Sequence, residues 1–307
     1  MTTPKLRLGT RQSPLAVAQA EEAQERLCAA HGWTVDAVEL VKVRASGDKI
    51  QDRPLAEIGG KALWTRELDI WLAEGRIDAA VHSMKDVETL RPDSLTIGAI
   101  LPREDVRDVL IGASSLRSIP QGARIGTSAP RRAAQMLHHR PDCAIVSFRG
   151  NVATRLAKLA SGEADVTMLA AAGLNRSGRA GTGTPLDSDA FLPAPQQGAI
   201  GIECNRNDHR TVDWLSAIDH RESRASVLAE RALLEGLGGT CHSPIAAITK
   251  HAGTELTIRA AIFSANGAVR IDDEITANVG DLSAFRELGR CLLQNAPSII
   301  SQLFENP

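Results

Sequence analysis

The chain has 307 residues, of which 43% are hydrophobic and 23% charged, and a net charge of −2. That is a soluble globular balance with room for two or three domains, and no global field draws it to nucleic acid or a membrane surface. Aromatic residues make up only 3%, with no tyrosine, which argues against base-stacking platforms and aromatic cages as the main binding device.

Leu6 to Gly9 reads as a strand, Ser13 as an N-cap, Pro14 as the first helical residue, and an Ala-rich helix follows to about Ala30. Val38 to Val43 reads as a second strand. Gly59 and Gly60 precede a helix with Leu63, Trp64, Leu68, Trp71 and Leu72 on one broad face. Ala79 to Val81 is a short buried strand, and His82 to Asp86 lies at its carboxyl end.

The middle of the chain repeats this plan. RIGTSAPRRAAQ from Arg124 resembles RLGTRQSPLAVAQ from Arg7, and LASGEADVTM from Leu159 echoes LAEGRIDAAV from Leu72. Gly9 and Gly75 are 66 residues apart, whereas Gly126 and Gly162 are 36 apart, so the likeness is one of architecture and not a strict repeat. Two similar α/β lobes are predicted, each a mostly parallel sheet with helices on both faces. Ligands of such lobes bind outside the carboxyl ends of strands, where helix N-termini point. The Gly/Thr-rich stretch 178–185 reads as a loop, and PAPQQG from Pro193 as an interdomain crossing.

From about Glu222 the pattern changes. An Ala/Leu-rich helix ends at Gly238 and Gly239, strands follow near 245–249, 255–263 and 268–276, and Asn266-Gly267 signals a hairpin between the last two. A closing helix starts at about Leu282 and breaks near Pro297. This is a small α+β third domain.

The five cysteines (Cys28, Cys143, Cys204, Cys241 and Cys291) are far apart with no C-x-x-C, so a disulfide framework is not expected and a reducing, cytoplasmic setting fits best. The N-terminus runs into a strand without a signal-type apolar core, and no apolar run approaches membrane-spanning length. The histidines fit no metal-ligand spacing, and Gly59-Gly60-Lys61 lacks the full phosphate-loop spacing.

Charge is uneven. Between Arg124 and Arg179 there are nine Lys/Arg but only three acids, Asp142, Glu163 and Asp165, which points to an anionic small molecule and not to a polymer. Arg11, Arg131, Arg132, Arg149 and Arg155 fall at strand-to-helix junctions or in first helical turns, with Ser13, Thr127 and Ser128 beside them as hydroxyl and backbone donors. Guanidinium forks there, added to helix N-termini, predict a ligand with several negative groups. Ser83, Lys85 and Asp86 emerge at a sheet edge, where a carboxylate serves as general acid or base or faces a developing cation. For Cys241, spacing alone favours a packed, inert thiol, while the flanking Gly238, Gly239 and Pro244 describe an accessible loop, which makes the thiol a candidate covalent attachment point and no more.

Six segments stand together and in order: TRQSP from Thr10, GGK from Gly59, HSMKD from His82, RGNVATR from Arg149, QGAIGIE from Gln197 and CHSP from Cys241. In this combination the chain resembles the porphobilinogen deaminase (hydroxymethylbilane synthase) family over essentially its whole length. The resemblance implies an α/β fold of two similar lobes like those of type II periplasmic binding proteins, plus the small α+β third domain. Domain 1 would comprise residues 1–99 with about 199–218, domain 2 residues 100–198 and domain 3 residues 219–307.

The implied reaction condenses four porphobilinogen units head to tail, releasing ammonia, into linear hydroxymethylbilane. The implied cofactor is a dipyrromethane primer joined by a thioether to Cys241. Asp86 matches the catalytic aspartate, and Arg11, Ser13, Ser83, Lys85, Arg131, Arg132, Arg149 and Arg155 match positions that hold acetate and propionate groups, assisted by Thr127 and Ser128. Lys61, Trp64 and Gln197 are further contacts implied by the resemblance, Trp64 standing where the family has Phe. The chain departs from the family pattern at Ala129 and Pro130, expected as Ser and Leu, and at Thr240, expected as Gly. The resemblance also implies a monomer. The rival reading is a non-catalytic two-lobe protein that binds a polycarboxylate.

Overall fold

The computed structural model describes residues 3–43, 65–238 and 243–304. The chain opens with β1 (Leu6–Arg11), the helix Pro14–His31, β2 (Val38–Val43), the helix Arg66–Ala73, β3 (Ala79–Ser83) and β4 (Leu95–Ile100). Next come β5 (Asp108–Ile111), β6 (Arg124–Gly126), the helix Pro130–His139, β7 (Ala144–Val146), the helix Val152–Ala160, β8 (Val166–Ala170), the helix Ala171–Arg176 and β9 (Thr184–Pro185). Then follow β10 (Ile200–Asn205) and the helices His209–Ser216 and Arg221–Leu237. The chain closes with β11 (Ile245–Ala252), β12 (Glu255–Phe263), β13 (Arg270–Asn278) and the helices Leu282–Gln294 and Ser298–Ser301.

Among the described residues, one compact unit is built from 3–43, 65–104 and 198–224, and the other from 105–197, 225–238 and 243–304. The first unit holds a five-stranded sheet in the order β2-β1-β3-β10-β4, the second a five-stranded sheet in the order β7-β6-β8-β5-β9. The two orders coincide position by position. In each sheet the fourth strand, β10 or β5, is antiparallel to both neighbours, and it is the strand the chain enters straight after crossing from the other unit. The predicted pair of similar lobes is therefore present, each with one reversed strand. Thr184–Pro185, expected as part of a loop, forms the edge strand β9 because its backbone pairs with Val109 and Leu110.

Matching side chains hold the two lobes together internally. Arg7 donates through its backbone N and Nη2 to the Asp78 carboxylate at 2.7 Å each, while Asp78 N donates to Arg7 O. Arg124 and Asp165 repeat that clasp at 2.7 and 2.9 Å, again with a return bond from Asp165 N. Each clasp ties the start of a parallel strand to the start of its neighbour. The first core gathers Leu6, Leu8, Leu27, Ile200 and Ile202, and the second gathers Leu110, Ile125, Met136, Val166 and Met168. Gly126 is required where β6 ends, because a Cβ there would lie 2.5 Å from the Phe148 ring.

The small third sheet, β11-β12-β13, is fully antiparallel and packs Ile258 and Ile262 against Leu233, Leu237, Phe285 and Leu288 of two helices. Its Asn266-Gly267 turn, predicted as a hairpin, has Gly267 at φ +71°. A side chain at Gly267 would strike the backbone of the helix Pro130–His139, and His138 Nδ1 lies 2.9 Å from Gly267 O. With a carbonyl as partner, Nδ1 carries the proton. His139 Nε2 meets Ala190 O at 3.0 Å, so the adjacent histidines anchor backbone.

Candidate active site

In the first lobe, β3 runs into a tight turn at Met84–Asp86. Met84 is fully buried, its backbone N donates to Ala199 O, and Val87 N donates back to Met84 O. The plug leaves Ser83, Lys85 and Asp86 half-buried at the carboxyl end of the strand. Arg11, Gln19, Thr65, His82, Ser83 and Asp86 line one cavity there. Gln19 Nε2 donates to Ser83 Oγ at 2.8 Å, and Ser83 Oγ donates to Gln19 Oε1 at 3.1 Å. Ser13 Oγ accepts from Ala16 N, so its hydroxyl is used in capping the helix that carries Gln19.

Behind this cavity lies a charged cluster. Glu203 of β10 is buried, with Oε2 2.8 Å from Arg91 Nη2 and 3.3 Å from His82 Nε2, the latter without hydrogen-bond alignment. Arg91 also donates to Asp69 Oδ2 at 3.1 Å, Glu88 Oε2 at 2.8 Å and Thr65 Oγ1 at 3.3 Å. Burial alone would raise the Glu203 carboxyl, but His82 and Arg91 overcome it and hold the group at about 2. Burial works against the Arg91 charge as well, and Glu203 with Asp69 keeps it firmly protonated.

In the second unit the arginines gather at the carboxyl ends of β6 and β7. The helices Pro130–His139 and Val152–Ala160 carry no acid in their own first turns, so no residue of theirs offsets the positive helix ends. Arg131 and Arg132 are buried and share Asp108: Arg132 Nε and Nη2 donate to Oδ1 at 3.0 and 2.7 Å. Arg131 Nη1 lies 2.7 Å from Oδ2 as an ion pair without hydrogen-bond alignment, and it donates to Leu192 O at 2.8 Å. Burial would raise Asp108, yet the two guanidiniums drive it far below the ordinary carboxylate range, while burial pushes Arg131 down. Gln197 Nε2 joins them, donating to Asp108 Oδ1 at 3.1 Å and Val106 O at 2.7 Å.

Asn151 caps the second helix, and Arg155 Nε donates to Gly150 O at 2.9 Å. Thr127 Oγ1 accepts from Ala129 N, and Ser128 Oγ donates to Phe148 O at 2.7 Å, so both hydroxyls shape the loop. Arg149 differs. Its Nη1 is buried and has no hydrogen-bond partner. An orphaned guanidinium N–H beside acid-free helix ends fits a carboxylate-bearing group.

Of the residues named from sequence, Arg11, Ser83 and Asp86 thus share a cavity, and Arg131, Arg132 and Gln197 share Asp108. Lys61, Trp64, Cys241 and His242 lie outside the described residues. Sequence reasoning missed Gln19, Asp108, Glu203 and Arg91. One signal existed for Gln19: it stands five residues after Pro14, as Gln135 stands five after Pro130. Gln135 is itself bonded in both directions to Leu192. Among the described residues no cluster of His, Cys, Asp and Glu has a metal-binding arrangement, and no helix is long and apolar enough to cross a membrane.

Residues 6–213 match the family described as porphobilinogen deaminase, dipyromethane cofactor binding domain, and 225–295 match porphobilinogen deaminase, C-terminal domain. The chain belongs to the porphobilinogen deaminase family. The porphobilinogen deaminase of Sphingopyxis alaskensis is 53% identical over 97% of this chain and 96% of its own. That of Paracoccus denitrificans is 45% identical over 95% of each. Among solved structures, immunogenic lipoprotein A of Vibrio vulnificus is 12% identical and covers 73% of this chain and 99% of its own, at a TM-score of 0.42. At that level it adds nothing to the strand orders above.

Family membership brings a dipyrromethane cofactor with it, and the buried, unpartnered Arg149 Nη1 is a donor of the kind that fits such a group's carboxylates. It also sets the enzyme above the non-catalytic rival.

Proposed function

We propose that the chain is a hydroxymethylbilane synthase that condenses four porphobilinogen molecules head to tail. The observation that carries this reading is the cavity shared by Asp86, Arg11 and Ser83 at the end of β3. The dipyrromethane, joined to Cys241 by a thioether, supplies the nucleophilic pyrrole carbon when bound.

The chain's own residues do the rest. Each substrate carries an acetate and a propionate, so carboxylates accumulate with every addition. Arg131, Arg132, Arg149 and Arg155 bind them as bidentate or charge-assisted partners, with Arg11 and Lys85 serving the first lobe. In each condensation the aminomethyl C–N bond of porphobilinogen breaks, and nitrogen leaves as ammonia with the electron pair and a proton delivered by Asp86. Asp86 faces the cation left on the pyrrole and stabilises it electrostatically. A carbon–carbon bond then forms, and the attacked pyrrole carbon gives up its proton, which Asp86 relays. Tethering one reactant removes part of the entropic barrier. The three-stranded sheet with its helices acts as the domain presenting Cys241, and the protein works as a cytoplasmic monomer.

Intact mass and turnover test this together. The purified protein should exceed its sequence mass by two pyrrole units, and Cys241→Ser should not. Asp86→Asn should keep the added mass and lose about 10²–10⁴-fold in turnover. An unmodified protein from porphobilinogen-producing cells, or normal turnover by Asp86→Asn, would sink the reading.

A further inference from the structure

The geometry points to Asp108 as the positioning residue that sets Arg131 and Arg132 for carboxylate binding. The inference rests on the proposed synthase reading and adds a residue to it. Asp108 opens β5, and because β5 runs antiparallel to β8 its partner in register is Ala170, the last residue of β8. The reversed strand therefore carries this carboxylate to the edge where the parallel strands end and the helix Pro130–His139 begins.

Two neighbouring guanidiniums in a first helical turn repel each other and the positive helix end. Left alone they would splay toward solvent. Instead both are 6% exposed, and each puts a nitrogen 2.7 Å from a different oxygen of one fully buried carboxylate. Asp108 engages Nη1 of Arg131 and Nε and Nη2 of Arg132, so it does not use Nη2 of Arg131 or Nη1 of Arg132. One negative charge against two positive ones leaves the trio cationic. It holds the forks side by side without cancelling their pull on an incoming carboxylate. Gln197, bonded to the same Oδ1 and to Val106 O, fixes the carboxylate in turn.

Kinetics of cofactor-loaded variants test this. Asp108→Glu keeps the charge but moves it by one methylene. It should fold and load normally, and raise KM for porphobilinogen about 10- to 100-fold with a smaller change in kcat. Asp108→Asn should do the same if it folds, and Arg132→Lys is the reference. The double variant Asp108→Glu/Arg132→Lys should be no worse than the poorer single one, because both act through one constellation. A purely structural Asp108 would lower the melting temperature and leave KM alone. Losses that multiply in the double variant, or a KM within twofold of wild type for folded Asp108→Glu while Arg132→Lys is impaired, would overturn the assignment of Asp108. Unimpaired Arg132→Lys would instead overturn the carboxylate-site reading on which it stands.

Discussion

Arg149 holds a buried nitrogen with no hydrogen-bond partner, and an unsatisfied buried donor costs a protein about 1–3 kcal/mol. A cofactor-free chain therefore gains nothing from that nitrogen. Arg149→Met should leave the melting temperature of the cofactor-free protein unchanged or higher, yet impair cofactor loading or elongation, as read by intact mass and turnover. A marked loss of stability with full turnover would mean that Arg149 serves the fold. The basic side chains and Asp86 were legible because each stands beside a strand end or cap whose signal is local. Asp108 was not. In sequence it is one acid before the apolar run Val109–Ile111, and nothing there says that two arginines more than twenty residues later will close on it. The hydroxyls of Thr127 and Ser128 were legible as polar loop groups, but their engagement with Ala129 N and Phe148 O depends on how the loop folds back.

At the scale of elements, β10 does more than complete a sheet. It brings Glu203 beside His82 of β3, where Arg91 links it to Asp69, Glu88 and Thr65. Arg91→Leu would leave a buried carboxylate facing His82 alone, a loss of about 3–5 kcal/mol. The acid limb gives a sharper signature. Because Glu203 is held down near 2 against an ordinary 4.5, its stabilisation is complete above 4.5 and is lost as pH falls toward 2. That contribution is on the order of 3 kcal/mol. Denaturant unfolding of wild type and Arg91→Leu should therefore show a gap that narrows between pH 4.5 and 2, and a constant gap would exclude the Glu203 linkage. Elements with a strong local code, such as Ser13-Pro14 opening a helix or Asn266-Gly267 turning a hairpin, were readable from residues alone. The reversed direction of β5 and β10 was not, since an apolar run of four to six residues has the same composition in either sense.

For the whole molecule, the duplicated plan was visible in RLGT/RIGT and LAEG/LASG, and the structure gives it a mechanical basis in the paired clasps Arg7–Asp78 and Arg124–Asp165. The shared order of the two sheets hides an asymmetry in time. Every strand of the second lobe lies between residues 108 and 185, whereas the first lobe needs β10, at 200–205, to join β3 to β4. A ribosome delivers the second lobe's strands as one uninterrupted stretch, but leaves β4 without a neighbour until more than ninety further residues have been made. Multidomain chains ordinarily fold from the amino terminus as they emerge. Here the order should invert, with the amino-terminal lobe waiting on the middle of the chain. Proteolysis of stalled nascent chains should find protection of residues 105–197 before that of 3–43 and 65–104, and the reverse order would refute this. The loop closure that delays β10 makes the sheet carrying Asp86 the later of the two five-stranded sheets to become native during synthesis.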